Sequence, residues 1–97
     1  MRIMVQDNLD TYDQFLDREF DLEGDMATIR DLLMAVTARS GGLYQMISSA
    51  TNDVEPSEYM VLLRGSAYQF LPERLETELR EGDKVRILRA MDMMSGG

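Results

Sequence analysis

One stretch of this chain carries a full set of helix signals, and it narrows the fold to architectures built around a single main helix. Thr28 can cap an N-terminus, and Asp31, three residues later, completes a capping-box pattern. Ile29, Leu32, Leu33 and Val36 follow at i, i+3, i+4 and i+7, which makes one apolar stripe. Arg39 falls in the last turn, where a cation suits the helix dipole. Gly41-Gly42 then supplies the stop. A stripe of this kind is core and carries no function of its own.

The rest of the sequence alternates rather than turning. Met1 to Gln6 places Ile3 and Val5 on one side and Arg2, Met4 and Gln6 on the other, a strand with one buried face. Asp7 to Asp17 is acidic and turn-rich. It reads as a long hairpin loop whose Tyr12, Phe15 and Leu16 tuck against the core. Arg18 to Glu23 alternates again, with Phe20 and Leu22 inward, and Gly24-Asp25 closes it. Leu43 to Glu58 reads as a loop with a short extra element, since Pro56 argues against a central strand. Tyr59 to Arg64 is a strong strand, and Ala67 to Phe70 its short return. Leu75 and Leu79 anchor a helical turn, Glu81-Gly82-Asp83 is a turn, and Lys84 to Met91 is the last strand, with Val85 and Ile87 on one face.

First and last strands that are each apolar on one face can pair in parallel, with the helix in the crossover. The expected fold is therefore α+β: a ubiquitin-like β-grasp, a mixed four- to five-stranded sheet with one main helix on one face. Residues 1–91 are expected to form the domain and 92–97 a flexible tail ending in Gly-Gly.

Composition removes several function classes. The 97 residues include no cysteine and no histidine. Thiolate metal sites, iron–sulfur clusters, cysteine nucleophiles and the usual neutral-pH general base are therefore missing, and an enzyme is not expected. The carboxylates Asp7, Asp10 and Asp13 recur in one loop, but their spacing is not that of an EF-hand, so no metal site is expected. A net charge of -8 disfavours nucleic acid and anionic membranes and favours a basic protein partner. The start of the chain has no signal-peptide shape, and no apolar run is long enough to span a bilayer, so a cytoplasmic location is the expectation.

Four features together resemble a known group. The opening Met1-Arg2-Ile3-Met4-Val5 is similar to the start of ubiquitin. Thr28-Ile29-Arg30-Asp31-Leu32-Leu33 looks like the helix start of the ubiquitin-like sulfur carriers. Leu79 to Ile87 looks like their leucine, glycine–aspartate turn and last strand, and the sequence stops at Gly96-Gly97. The chain thus resembles the ubiquitin-like β-grasp sulfur-carrier and modifier family, which includes the molybdopterin-synthase small subunit and the small archaeal modifier proteins. The Asp7 to Asp17 loop departs from the arginine- and glycine-bearing first loop of many carriers, and Leu43 to Glu58 is long.

The resemblance implies a carrier acted on by an ATP-dependent, ubiquitin-activating-type adenylating enzyme, with no permanently bound cofactor. The Gly97 carboxylate would be adenylated. It would then become a thiocarboxylate, donating sulfur to molybdopterin or transfer RNA, or be conjugated to lysines of target proteins. The chain could equally serve as the small subunit of a synthase, paired with the molybdopterin-synthase large subunit. Gly96 gives the end access to a narrow channel, because glycine has no Cβ.

The alternation also nominates a partner-binding face opposite the helix. Met4, Leu62, Arg86 and Leu88 are expected there, with Met91, Met93 and Met94 extending it. Lys84, the only lysine, is a candidate self-conjugation acceptor. The competing reading is a non-catalytic β-grasp interaction module with an inert tail.

Overall fold

The computed structural model describes residues 1–11 and 13–89. Five strands form the main sheet: β1 (Arg2–Asp7), β2 (Leu16–Asp21), β4 (Tyr59–Leu63), β5 (Ser66–Ala67) and β7 (Lys84–Arg89). Their order is β2-β1-β7-β4-β5. The pair β1 and β7 is parallel, and every other pairing in this sheet is antiparallel. A second, two-stranded sheet joins β3 (Ala27–Thr28) to β6 (Glu78–Leu79). The helix α1 (Ile29–Arg39) lies in the crossover between the two hairpins, and its apolar stripe covers one face of the main sheet.

Local chemistry explains why α1 starts and stops where it does. The Asp31 amide donates to the Thr28 hydroxyl at 3.2 Å, and the Thr28 amide donates to the Asp31 carboxylate at 2.9 Å. Both halves of the capping box are therefore made. At the other end, Gly41 turns left-handed at φ +68°. The Gly42 amide then reaches the Thr37 carbonyl and the Gly41 amide the Ala38 carbonyl, each at 3.0 Å, so the last carbonyls are satisfied. Ile29, Leu32, Leu33 and Val36 are all buried. We expect Thr28→Ala to cost about 1 kcal/mol, read as a lower urea midpoint with an unchanged slope.

The sheet supplies the opposing half of the core. Ile3 and Val5 of β1, Val61 and Leu63 of β4, and Val85 and Ile87 of β7 are fully buried against the helix. Phe20 closes the core under β2, while Leu22 packs beside it as a partly buried residue. The parallel register sets Val5 beside Val85 and Asp7 beside Ile87.

The structure corrects the sequence expectations in the first loop, at Asp7 and in the return strand after β4. The first loop is shorter than expected, because β2 begins at Leu16. Its anchor is Leu9, 2% exposed, whereas Phe15 and Leu16 are 39% and 43% exposed; Tyr12 lies outside the described residues. Asp7 is the third inward residue of β1, not the first of the loop, and it is 1% exposed. The expected strand from Ala67 to Phe70 is a two-residue strand, β5, followed by a single 3-10 turn over Tyr68–Phe70. There Tyr68 swings into the core, and its hydroxyl donates to Asp53 at 2.7 Å. The last strand ends at Arg89 within the described residues, and Met91 lies outside them.

The long segment after α1 is held at both its ends by buried side chains. Met46 and Val54 are buried, and an isolated bridge pairs Ser48 with Asp53. The helical turn expected around Leu75 is a 3-10 turn over Arg74–Glu76, and Leu79 is buried in β6. No helix among the described residues is long and apolar enough to cross a membrane.

Candidate docking face and strand exit

The face of the main sheet that α1 leaves uncovered is built by parity. Because Ile3, Val5, Val61, Leu63, Val85 and Ile87 point to the core, their neighbours point the other way. The pairing then places those neighbours side by side. Gln6, Arg86, Leu62 and Ala67 form one row across four strands. Glu19, Met4 and Lys84 form a second, and Leu88 with Met60 a third. Met4, Leu62, Arg86 and Leu88, the residues nominated from sequence, are thus brought together on one surface. Met4, Leu62 and Leu88 are half-buried in it, and Arg86 and Lys84 are exposed.

Two members of this surface went unnoticed in the sequence. Met60 is 50% exposed and stands two residues before Leu62, so parity alone would have found it. Phe15 was expected in the core. Instead its ring lies under the Arg86 guanidinium, 4.9 Å from centroid to carbon, where a cation faces the ring's negative π surface. Acidic residues border this patch on β2. Glu19 pairs with Arg2 at 3.2 Å, an exposed contact of small energetic value.

The C-terminal end of β7 is held by the first loop. The Arg89 amide donates to the Asn8 side-chain carbonyl at 2.6 Å, and the Arg89 guanidinium donates to the Leu9 carbonyl at 3.0 Å. The loop itself is fixed by Asp7. One carboxylate oxygen accepts from the Leu9 amide at 3.1 Å, and the other lies 2.9 Å from the Arg18 guanidinium. Arg18 also pairs with Asp10, which accepts from the Tyr44 hydroxyl at 2.7 Å. The Tyr44 and Arg18 bonds hold the Asp10 carboxyl below the ordinary carboxylate range, and the same Asp10 bond raises the Tyr44 hydroxyl. Asp7 and Asp10 thus share Arg18, and no cluster suited to a metal ion exists among the described residues.

A second polar cluster pins the long loop. Asp53 accepts from Tyr68, from the Val54 amide at 2.7 Å and from Arg74 at 3.3 Å. Burial raises the Asp53 carboxyl, but these bonds outweigh it and the net shift is downward. Burial, and then the bond to Asp53, push the Tyr68 hydroxyl up to about 12. A folded value above the unfolded 10.0 stabilises the protein fully below pH 10, and that stabilisation disappears as pH rises through about 12. We expect one tyrosine to titrate late by tyrosinate absorbance. Tyr68→Phe should remove that late step and leave the others in place.

Gly96, Gly97, Met93 and Met94 lie outside the described residues. No protein-family model and no curated protein matches this chain. Solved structures do match. The crystal structure of SAMP1 from Haloferax volcanii superposes with a TM-score of 0.68 at 17% identity, over 94% of this chain and 97% of that one. A ubiquitin-like protein from the hyperthermophilic archaeon Caldiarchaeum subterraneum matches over the same shares, with a TM-score of 0.53 at 15% identity. With its mixed five-stranded sheet, parallel first and last strands and single covering helix, this chain has the ubiquitin-like β-grasp fold.

Proposed function

We propose that this chain is a ubiquitin-like carrier or modifier whose Gly97 carboxylate is activated by a separate ATP-dependent enzyme. The observation that carries the reading is the construction of the sheet face. β7 is the middle strand of five, it contributes Arg86 and Leu88 to that face, and it is the strand from which residues 90–97 continue. A partner seated on Met4, Met60, Leu62 and Leu88 is therefore docked on the element that delivers the carboxylate. The likeness to SAMP1 supports the same reading.

The chemistry follows from the carboxylate's poor reactivity. A Gly97 carboxylate oxygen attacks the α-phosphorus of ATP, the bond to the bridging oxygen breaks, and pyrophosphate leaves. The resulting acyl-adenylate is open to a sulfur nucleophile. A persulfide sulfur of the partner attacks the carbonyl carbon and AMP leaves; a second thiolate of the partner then attacks the outer sulfur of the acyl disulfide, the one bonded to the partner, forming a partner disulfide and releasing the thiocarboxylate. A cysteine thiolate of the partner gives a thioester, which a lysine amine converts to an isopeptide. With no cysteine or histidine in the sequence, the nucleophile and base belong to the partner. The chain itself supplies docking and reach. The setting is the ATP-containing cytoplasm, and the partners are an adenylating enzyme, then a sulfur acceptor such as the molybdopterin-synthase large subunit, or conjugation targets.

Lys84 stands exposed at the start of β7 in register with Met4, inside the docking face. Self-conjugation there would compete with docking. Intact-mass measurement on protein isolated from its host tests the reading. It should show a population heavier by the difference between one sulfur and one oxygen atom, localised to the C-terminal peptide, or Gly97 isopeptides on other proteins. Recovery of free carboxylate alone, with the purified adenylating enzyme unable to exchange pyrophosphate in its presence, would leave the inert-tail interaction module as the better description.

A further inference from the structure

The sequence holds nine methionines and no cysteine, so thioether oxidation is the sulfur redox chemistry open to this chain. The methionines are placed unevenly. Among the described residues only Met46 is fully buried, at 0% exposed, while Met26, Met34 and Met60 are 73%, 56% and 50% exposed. Met26 precedes β3, and Met34 lies on the solvent side of α1. Of these three, only Met60 stands on the uncovered sheet face, with the half-buried Met4, Leu62 and Leu88.

The sheet puts the Met60 thioether where an oxidant reaches it and where a change of polarity is felt. Met60 pairs with Leu88 across β4 and β7. On the other side of β4, β5 pairs only with Leu62 and Leu63, so among the described strands none flanks Met60 there. The cross-strand neighbour Leu88 is apolar, and so is Leu62, two residues on. Arg86, the cation of the adjoining row, turns its guanidinium to the Phe15 ring on the opposite side of β7. An oxygen added to the Met60 sulfur therefore meets no side-chain donor from its cross-strand pair, and an apolar partner surface seated on the face offers none either.

We propose that Met60 is an oxidant-sensitive modification site that releases the chain from its activating partner, a regulation that rests on the docking reading above. The Met60 sulfur attacks one oxygen of hydrogen peroxide, the O–O bond breaks, and after proton transfer water leaves. Sulfur is oxidised by two electrons and the peroxide is reduced by two. The product is a polar, chiral sulfoxide where a flexible apolar side chain stood. Docking then buries an S=O dipole without a hydrogen bond, which lowers affinity by roughly tenfold or more. A dithiol reductase reverses the change: the added oxygen leaves as water while the two thiols become a disulfide. The same burial acts in the other direction, since a seated partner covers the thioether and slows its oxidation.

The full chain is treated with hydrogen peroxide, its sulfoxides are mapped by peptide mass, and pyrophosphate exchange is measured with the purified adenylating enzyme. Met46 should stay a thioether, which reports an intact core. Oxidation should raise KM for the chain roughly tenfold, and methionine sulfoxide reductase should restore it. Met60→Leu, compared with its own untreated form, should lose this rise although Met26, Met34 and the methionines beyond residue 89 still oxidise. Met60→Gln, polar without any oxidant, should show a raised KM untreated. In the complex, Met60 should oxidise several-fold more slowly than in the free chain, while Met26 and Met34 keep their free rates. An unchanged KM with Met60 fully oxidised, a peroxide effect undiminished in Met60→Leu, or an unprotected Met60 in the complex would each overturn the proposal. Failure of the enzyme to charge the untreated chain is a different result: it removes the carrier reading and this proposal with it.

Discussion

Deleting Gly96 and Gly97 is expected to abolish ATP-dependent charging while leaving the melting temperature unchanged. The second half of that expectation rests on the fold. Among the described residues, both sheets and the helix are built without positions 96 and 97, and the clasp on the end of β7 uses Asn8 and Leu9. The first half rests on reach. Removing two residues withdraws the terminal carboxylate by up to about 7 Å along an extended chain. A misplacement of about 1 Å from in-line geometry already costs on the order of 10²-fold. Pyrophosphate exchange by the purified adenylating enzyme measures the loss. Gly96→Val should fall between wild type and the deletion, because it keeps the length but adds a β-branched side chain where close approach is needed. Full charging of the truncated chain would end the carrier reading and favour the inert-tail module. Unchanged charging by Gly96→Val would show that length alone matters.

The fold was legible where its causes are local. The capping box and the stripe on α1 involve residues three or four apart, and the structure reproduces both. The pairing of β1 with β7 was legible as one that could form, because both strands alternate and a helix lies between them to make a parallel crossover, and the structure has it, with Ile3, Val5, Val85 and Ile87 buried together. Met4, Leu62, Arg86 and Leu88 followed from the same parity. The failures share a different cause, since each involves a side chain whose partner is distant in sequence. Phe15 looked like a core residue until Arg86 was found above it. Tyr68 looked like part of a strand, but Asp53, fifteen residues earlier, gives its hydroxyl a partner only if the chain turns inward there.

Asp7 is the sharpest such case, and it yields the largest expected change in stability. The alternation of Ile3 and Val5 puts position 7 on the buried face, yet a carboxylate there reads as the start of a loop. Burial of this charge is permitted by the Arg18 guanidinium at 2.9 Å and by the Leu9 amide at 3.1 Å. Removing it leaves the partly buried Arg18 with one fewer counter-charge and the buried Leu9 amide without an acceptor. Breaking one side of such a pair costs more than the pair contributes, because the remaining group stays desolvated. Asp10 still neutralises Arg18, which moderates the loss. We expect Asp7→Ala to cost about 3 kcal/mol, and Asp7→Asn less, because the amide oxygen still serves Leu9 while only the charge is lost. Asp10→Ala, whose side chain is 47% exposed, should cost less than about 1 kcal/mol. For a domain of this size the first change lowers the melting temperature by roughly 12–24 °C. Thermal unfolding of the three variants at neutral pH gives the order directly. Were Asp10→Ala the most damaging, Arg18 would depend on the exposed carboxylate, and the loop that clasps Arg89 would be held from outside. The order Asp7→Ala, Asp7→Asn, Asp10→Ala places the anchor of the β7 exit inside the core, on the one charged residue that the inward face of β1 carries.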